Sequence, residues 1–216
     1  MIHSRFCCGG CAVEHATRAA LIISIPGLQS PPRSAALVEF VDIMPTLVQA
    51  AIGDVVPQCP PTQAASRGMA ACTEGTSLLP LMQSPVSKGR AAAFSQYPRA
   101  CNDPESKPGS HTAPCPCTGA TFCAGDVMGY TMRVDSYRYT EWVRFSINST
   151  TPDWSVEYGR ELYDHSASPV PSGWAYENAN VAGEQQHASL VGQLSTILRK
   201  CAVRPDLCSD ADMALR

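Results

Sequence analysis

The stretch Met128-Gly129-Tyr130-Thr131-Met132-Arg133-Val134-Asp135-Ser136-Tyr137-Arg138-Tyr139-Thr140-Glu141-Trp142-Val143-Arg144-Phe145 decides the fold. Residues 128–134 alternate, with Tyr130, Met132 and Val134 on one face and Thr131 and Arg133 on the other. Successive side chains of a strand point to opposite faces, so this alternation marks a strand. After Asp135-Ser136 it resumes through residues 137–145. Two alternating runs around a two-residue polar turn predict an antiparallel hairpin. Residues 160–165 predict a third short strand, with 152–159 and 166–183 as connections. Leu190, Val191, Leu194, Ile197 and Leu198 recur at helical spacing within residues 184–201, and Pro205 lies beyond them. The C-terminal half is therefore expected to be a small antiparallel sheet with one amphipathic helix over a face.

Upstream of the hairpin, residues 91–95 fit another strand, and residues 98–125 fit a long surface loop. Leu21-Ile22-Ile23-Ser24-Ile25 predicts a buried strand, ended by a turn at Pro26-Gly27. Residues 29–34 are a proline-rich loop. Over residues 35–52 the apolar Leu37, Phe40, Val41, Met44, Leu47, Val48 and Ala51 recur at three and four, which is one face of a helix. Pro45 near its middle removes a backbone donor and predicts a kink or two short helices. Residues 57–73 are expected as loop, and 78–82 as a short apolar patch. A lone buried strand leaves both edges unpaired. The N-terminal part is thus read as one strand and one helix of something larger, with exposed apolar surface on the 35–52 helix where a partner sheet sits.

Composition bounds the function. The chain has 216 residues, about one domain or one and a half. Its formal net charge of −3 offers no basic field for nucleic acid. Hydrophobic residues are 44%, against wholesale disorder, and charged residues are only 16%. The apolar run 19–25 is far too short to cross a bilayer, which needs about 20 residues. A transmembrane helix, a histone-like binder and a coiled coil are excluded. Eleven cysteines is an odd number, so an oxidised chain has at least one thiol that is free or joined to another chain. Such cysteine usage suits an oxidising compartment. Residues 1–10 nevertheless lack the apolar core of a signal peptide, and a chain truncated at its front would combine these features. Cys8 and Cys11 form a CxxC near His15, and Cys115, Cys117 and Cys123 cluster with Cys101 and His111. A zinc tetrahedron needs four ligands, and neither group supplies a second pair. Loop thiols or loop disulfides are expected there, and no metal site is assigned.

Several phrases, in order, resemble the C-terminal part of the sulfatase family, nearest its branch acting on sulfated iduronate. They are Ala16-Thr17-Arg18 with the following Leu21–Gly27 stretch, Val38-Glu39-Phe40-Val41-Asp42-Ile43-Met44-Pro45-Thr46-Leu47, and Glu74-Gly75-Thr76-Ser77-Leu78-Leu79-Pro80-Leu81. Ser95-Gln96-Tyr97-Pro98-Arg99 and the hairpin itself resemble that branch more specifically. Glu161-Leu162-Tyr163-Asp164-His165 and Glu177-Asn178-Ala179-Asn180-Val181-Ala182 resemble the closing strand and loop. The resemblance covers about residues 16–200. Residues 1–15 match nothing, Ala20 stands where the family has proline, and the cysteine-rich insertion 101–126 is unlike the family. The resemblance implies an alkaline-phosphatase-like α/β fold, with residues 16–90 as the tail of the large domain and 91–216 as an antiparallel subdomain.

The same resemblance implies a hydrolase of sulfate esters on glycosaminoglycan-type substrates, lysosomal or secreted. The family attacks sulfur with a formylglycine made from the cysteine of a Cys-x-Pro-x-Arg motif, beside a calcium ion. Cys59-Pro60-Pro61-Thr62-Gln63 is a near miss, with Gln63 in the arginine's place. By the resemblance Cys59 and Cys72 form a disulfide, worth about 3 kcal/mol by chain entropy. Asp164-His165 lacks the glycine-rich continuation of a metal stretch and is read as a side-chain or surface pair. No catalytic residue is assigned. Nucleophile and metal ligands are expected upstream of residue 16, so formylglycine and calcium belong to a full-length parent and the missing N-terminal segment is the expected partner. Arg99, Arg133 and Arg138 are the candidates to fork onto a sulfated uronic acid, against the commoner use of such arginines in structural ion pairs. Asn148-Ser149-Thr150 is a glycosylation sequon. The competing reading is a non-catalytic sulfated-glycan binding module or regulatory remnant. A redox or metal protein built on the cysteine clusters is a third, weaker one.

Overall fold

The computed structural model describes residues 13–29, 33–84, 87, 89–98, 127–146, 148–166 and 177–202. Its centre is a four-stranded, fully antiparallel sheet of β1 (Ala93–Pro98), β2 (Val127–Arg133), β3 (Tyr137–Ser146) and β4 (Thr151–Asp164), in that spatial order. The predicted hairpin forms. Met132 faces Tyr139, Arg133 faces Arg138, and the Val134 amide closes the Asp135-Ser136 turn on the Tyr137 carbonyl at 2.9 Å. The third strand is much longer than the sequence pattern predicts, because residues 152–159 are strand and not connection. The register between β3 and β4 slips around Val143, which faces Glu157 while Trp142 faces Gly159 and Arg144 faces Asp153. A bulge of this kind breaks the period of two by which strands are recognised.

Tyr130, Met132, Tyr139, Val143 and Leu162 meet the buried stripe Val191, Leu194, Ile197 and Leu198 of the last helix, α5 (Ala188–Cys201). This is the predicted sheet-and-helix core. The second sheet face is buried too. Thr131 and Thr140 share a hydroxyl contact of 2.8 Å there, and the Trp142 ring lies flat against Gly129.

The N-terminal half departs further from expectation. It holds α1 (Glu14–Thr17), α2 (Ile43–Ile52), α3 (Gln63–Arg67) and α4 (Leu79–Gln83). Residues 21–25 join no strand, and Ile22 is 91% exposed. No strand among the described residues lies alongside to pair with them, and isolated β-branched chain cannot make a ladder by itself. The predicted turn is present, with Gly27 at φ 79° and the Leu28 amide on the Ile25 carbonyl. The helix begins later than the apolar period suggests, after a 3-10 turn at Phe40–Asp42. Pro45 is therefore in the first turn, where a backbone N–H has no intrahelical partner, and it costs no hydrogen bond and makes no kink. The expected exposed apolar surface is found, running through Phe40 (70% exposed), Met44, Leu47 and Ile52. Within the presumed loop 57–73, Thr62 caps α3 by accepting from the Ala65 amide at 3.3 Å. Among the described residues no helix is long and apolar enough to cross a membrane.

Candidate functional site

The register places Arg133 and Arg138 opposite each other at the turn end of the β2–β3 hairpin. Like charges in facing positions repel, so anions must lie between or beside them. Two do, from distant parts of the chain. Arg138 Nη2 donates to Glu14 Oε2 at 2.5 Å and Arg138 Nε to Glu177 Oε1 at 2.6 Å. The same Glu177 oxygen lies 3.0 Å from His165 Nε2, and Glu177 Oε2 accepts from the Glu14 amide at 2.6 Å. Arg133 stands at the rim, with Nε 3.7 Å from Glu14 and Nη1 donating to the Asp135 carbonyl at 2.8 Å. Arg138 is only 3% exposed, against 17% for Arg133. Burial pushes the Glu177 carboxyl up, but the His165 hydrogen bond, the Arg138 charge and the Glu14 amide outweigh it and hold the group below the ordinary glutamate value.

Glu14, His165 and Glu177 bring ligand atoms within 4.8 Å of one another. Their chemistry does not fit calcium, which takes six to eight oxygen ligands. Here a guanidinium already occupies both carboxylates, and among the described residues two arginines balance two glutamates. A divalent ion would enter a neutralised cluster against two fixed cations. The cluster is a structural clasp joining α1, the hairpin, the end of β4 and the 177–182 segment.

A second clasp surrounds Asp42, which is fully buried. Its carboxylate accepts from the Glu39 amide at 2.9 Å, the Thr76 amide at 2.7 Å and Arg90 Nη2 at 2.5 Å. Burial raises this carboxyl, and the Arg90, Thr76 and Glu39 hydrogen bonds reverse that and hold it low. Glu39 in turn accepts the Phe94 amide at 2.5 Å, which ties this region to β1. Thr46 passes the connection on, accepting the Leu78 amide at 2.8 Å. Gly75 is needed here because a Cβ at that position would lie 2.0 Å from the Val41 carbonyl oxygen. Beside it Cys59 and Cys72 are joined in a disulfide. The sulfur of the near-miss motif is therefore bridged and not a thiol. A third network ties α5 to the sheet. The buried Glu141 accepts from Tyr139 at 2.7 Å and from Arg199 Nε at 2.9 Å, and Arg199 lies 5.6 Å over the Trp154 ring.

Of the arginines the sequence singles out, Arg133 and Arg138 share one cluster, while Arg99 lies outside the described residues. So do Cys8, Cys11, Cys101, Cys115, Cys117, Cys123 and His111, and the side chain of His15. Asn148 is exposed in the β3–β4 turn. The anions of the main cluster were not predicted. Glu14 falls in the unmatched residues 1–15, and it meets Glu177 across a separation of 163 residues. Asp164-His165 is read from the sequence as a side-chain or surface pair, but the His165 side chain is buried and pairs with Glu177.

No family model matches the chain. Two curated proteins do. Iduronate 2-sulfatase of Mus musculus is 31% identical over 170 residues, covering 73% of this chain and 27% of that protein. Iduronate 2-sulfatase of Homo sapiens is 32% identical over 157 residues, covering 67% and 25%. Both matches fall in the C-terminal region of these relatives, and the chain spans about a quarter of their length.

Proposed function

Because the chain is related to the sulfatase family through its C-terminal region, we propose that it is the non-catalytic C-terminal portion of a sulfate-ester hydrolase for glycosaminoglycan-type substrates. The likeness to two iduronate 2-sulfatases carries this reading. The internal pairing of the charged groups supports it. Arg138 pairs with Glu14 and Glu177, and Arg90 separately with Asp42, so these charged groups hold segments of the chain together. In this reading a formylglycine and a calcium ion, supplied upstream in a parent enzyme, provide the attacking oxygen and the charge that offsets sulfate. Residues 16–90 are then the tail of its large alkaline-phosphatase-like domain, and 91–216 its antiparallel subdomain. In this reading the exposed apolar stripe of α2 is surface that the rest of such an enzyme would cover. The Cys59–Cys72 bridge supports an oxidising, lysosomal or secreted location.

Purified chain is expected to show no calcium-dependent release of sulfate from an aryl sulfate or a sulfated disaccharide. Turnover above a buffer control would overturn the non-catalytic reading. Retention on immobilised heparan sulfate that falls on Arg99→Ala or Arg133→Ala would instead favour a glycan-binding module.

A further inference from the structure

The sequence contains one Asn-x-Ser/Thr triplet, Asn148-Ser149-Thr150. It lies almost wholly within the loop that joins the last β3–β4 pair, Ser146 with Thr151. Residues 148–150 are all exposed turn, and Thr150 adopts a left-handed φ of 52°. Described polar groups of the loop pair with one another beside the acceptor. Ser149 N donates to Ser146 Oγ at 3.3 Å, and the Ser149 and Thr151 hydroxyls lie 2.7 Å apart. These bonds order the turn through neighbours of Asn148, so its amide is not needed to close the hairpin.

Position in the fold adds a second argument. β3 runs ten residues from the Arg138 clasp to this turn, a span of about 30 Å at 3.3 Å per residue. A large polar group attached there stands clear of the clasp. It stands instead at the start of β4, the last strand of the sheet. The far end of that edge is capped, since Asn180 Oδ1 accepts the Leu162 amide at 2.9 Å and the Val181 amide donates to the Leu162 carbonyl at 3.0 Å. The end near Thr151 is where a bulky hydrophilic group would blunt strand-to-strand association.

We propose that Asn148 is an N-glycan attachment site. The donor class is a lipid-pyrophosphate-linked oligosaccharide, presented by a transferase of the secretory lumen. Asn148 Nδ2 bonds to the anomeric carbon, the bond from that carbon to the pyrophosphate oxygen breaks, the lipid pyrophosphate leaves, and Nδ2 gives up one proton.

The test is to secrete the full chain behind a heterologous leader from a glycosylating eukaryotic cell. Peptide-N-glycosidase digestion should lower the mass by one glycan and leave aspartate at position 148. Asn148→Gln and Thr150→Ala should each abolish the glycan, Thr150→Ser should keep it, and Asn148→Gln should melt at the same temperature as deglycosylated wild type. A secreted chain with its Cys59–Cys72 bridge formed but no glycan at Asn148 would overturn the proposal. This outcome is independent of sulfatase activity, so it separates from failure of the functional reading.

Discussion

Arg138 is the residue on which the most distant parts of the chain converge. Removing one partner from a buried, hydrogen-bonded ion pair leaves the other charges uncompensated, which costs about 3–5 kcal/mol. Arg138→Ala should therefore lower the unfolding free energy measured by urea titration by that amount, and Arg133→Ala, at the rim, by well under half of it. Equal losses would mean the cluster is not organised around Arg138. The carboxylates set a pH dependence. Glu177 and Asp42 are both held below their ordinary values in the folded state. Their contribution is complete above the unfolded value near pH 4 and is lost as pH falls through the lowered native value. Glu39, raised chiefly by its burial, works in the opposite sense beside Asp42. Melting temperature should thus drop below about pH 4, and Glu177→Gln should flatten that drop; an unchanged slope in the variant would refute the assignment.

At the level of elements, the β2–β3 hairpin shows what local pattern reveals. Its alternation, its two-residue turn and its register all lie within twenty residues, so no distant contact was needed to find it. The start of β4 escaped because the slip at Val143 destroys the period on which recognition depends. Residues 21–25 have strand chemistry but no described neighbour, so propensity alone misled. Pro45 misled for the opposite reason, since its meaning depends on where the helix begins. The clasps were invisible because their partners are far apart in the chain. Gly129 tests the packing of the second sheet face. A Cβ there would sit 2.6 Å from the Trp142 ring. Gly129→Ala must shift the indole and should cost about 1–3 kcal/mol by calorimetry. Gly159→Ala, with open space around its Cβ position, serves as the control.

The whole molecule combines a well-sealed sheet with an open apolar flank on α2 and the 3-10 turn before it. Phe40, Val41, Met44, Leu47 and Ile52 form that flank while Asp42 and Thr46 anchor the helix from behind. Purified chain should bind an apolar dye and self-associate with rising concentration, and Leu47→Lys should reduce both without lowering the urea midpoint. A dye-silent monomeric wild type would contradict this. Strand order carries a further consequence. β2, β3 and β4 are joined by brief turns, so they pair in the sequence in which a ribosome delivers them. The helix that seals Tyr139, Val143 and Leu162 emerges after all four strands. Until residue 201 clears the exit tunnel, the nascent sheet bares a greasy side to the cytosol or lumen. Premature stop codons before residue 188 should therefore yield chaperone clients and degraded chains rather than a smaller stable protein.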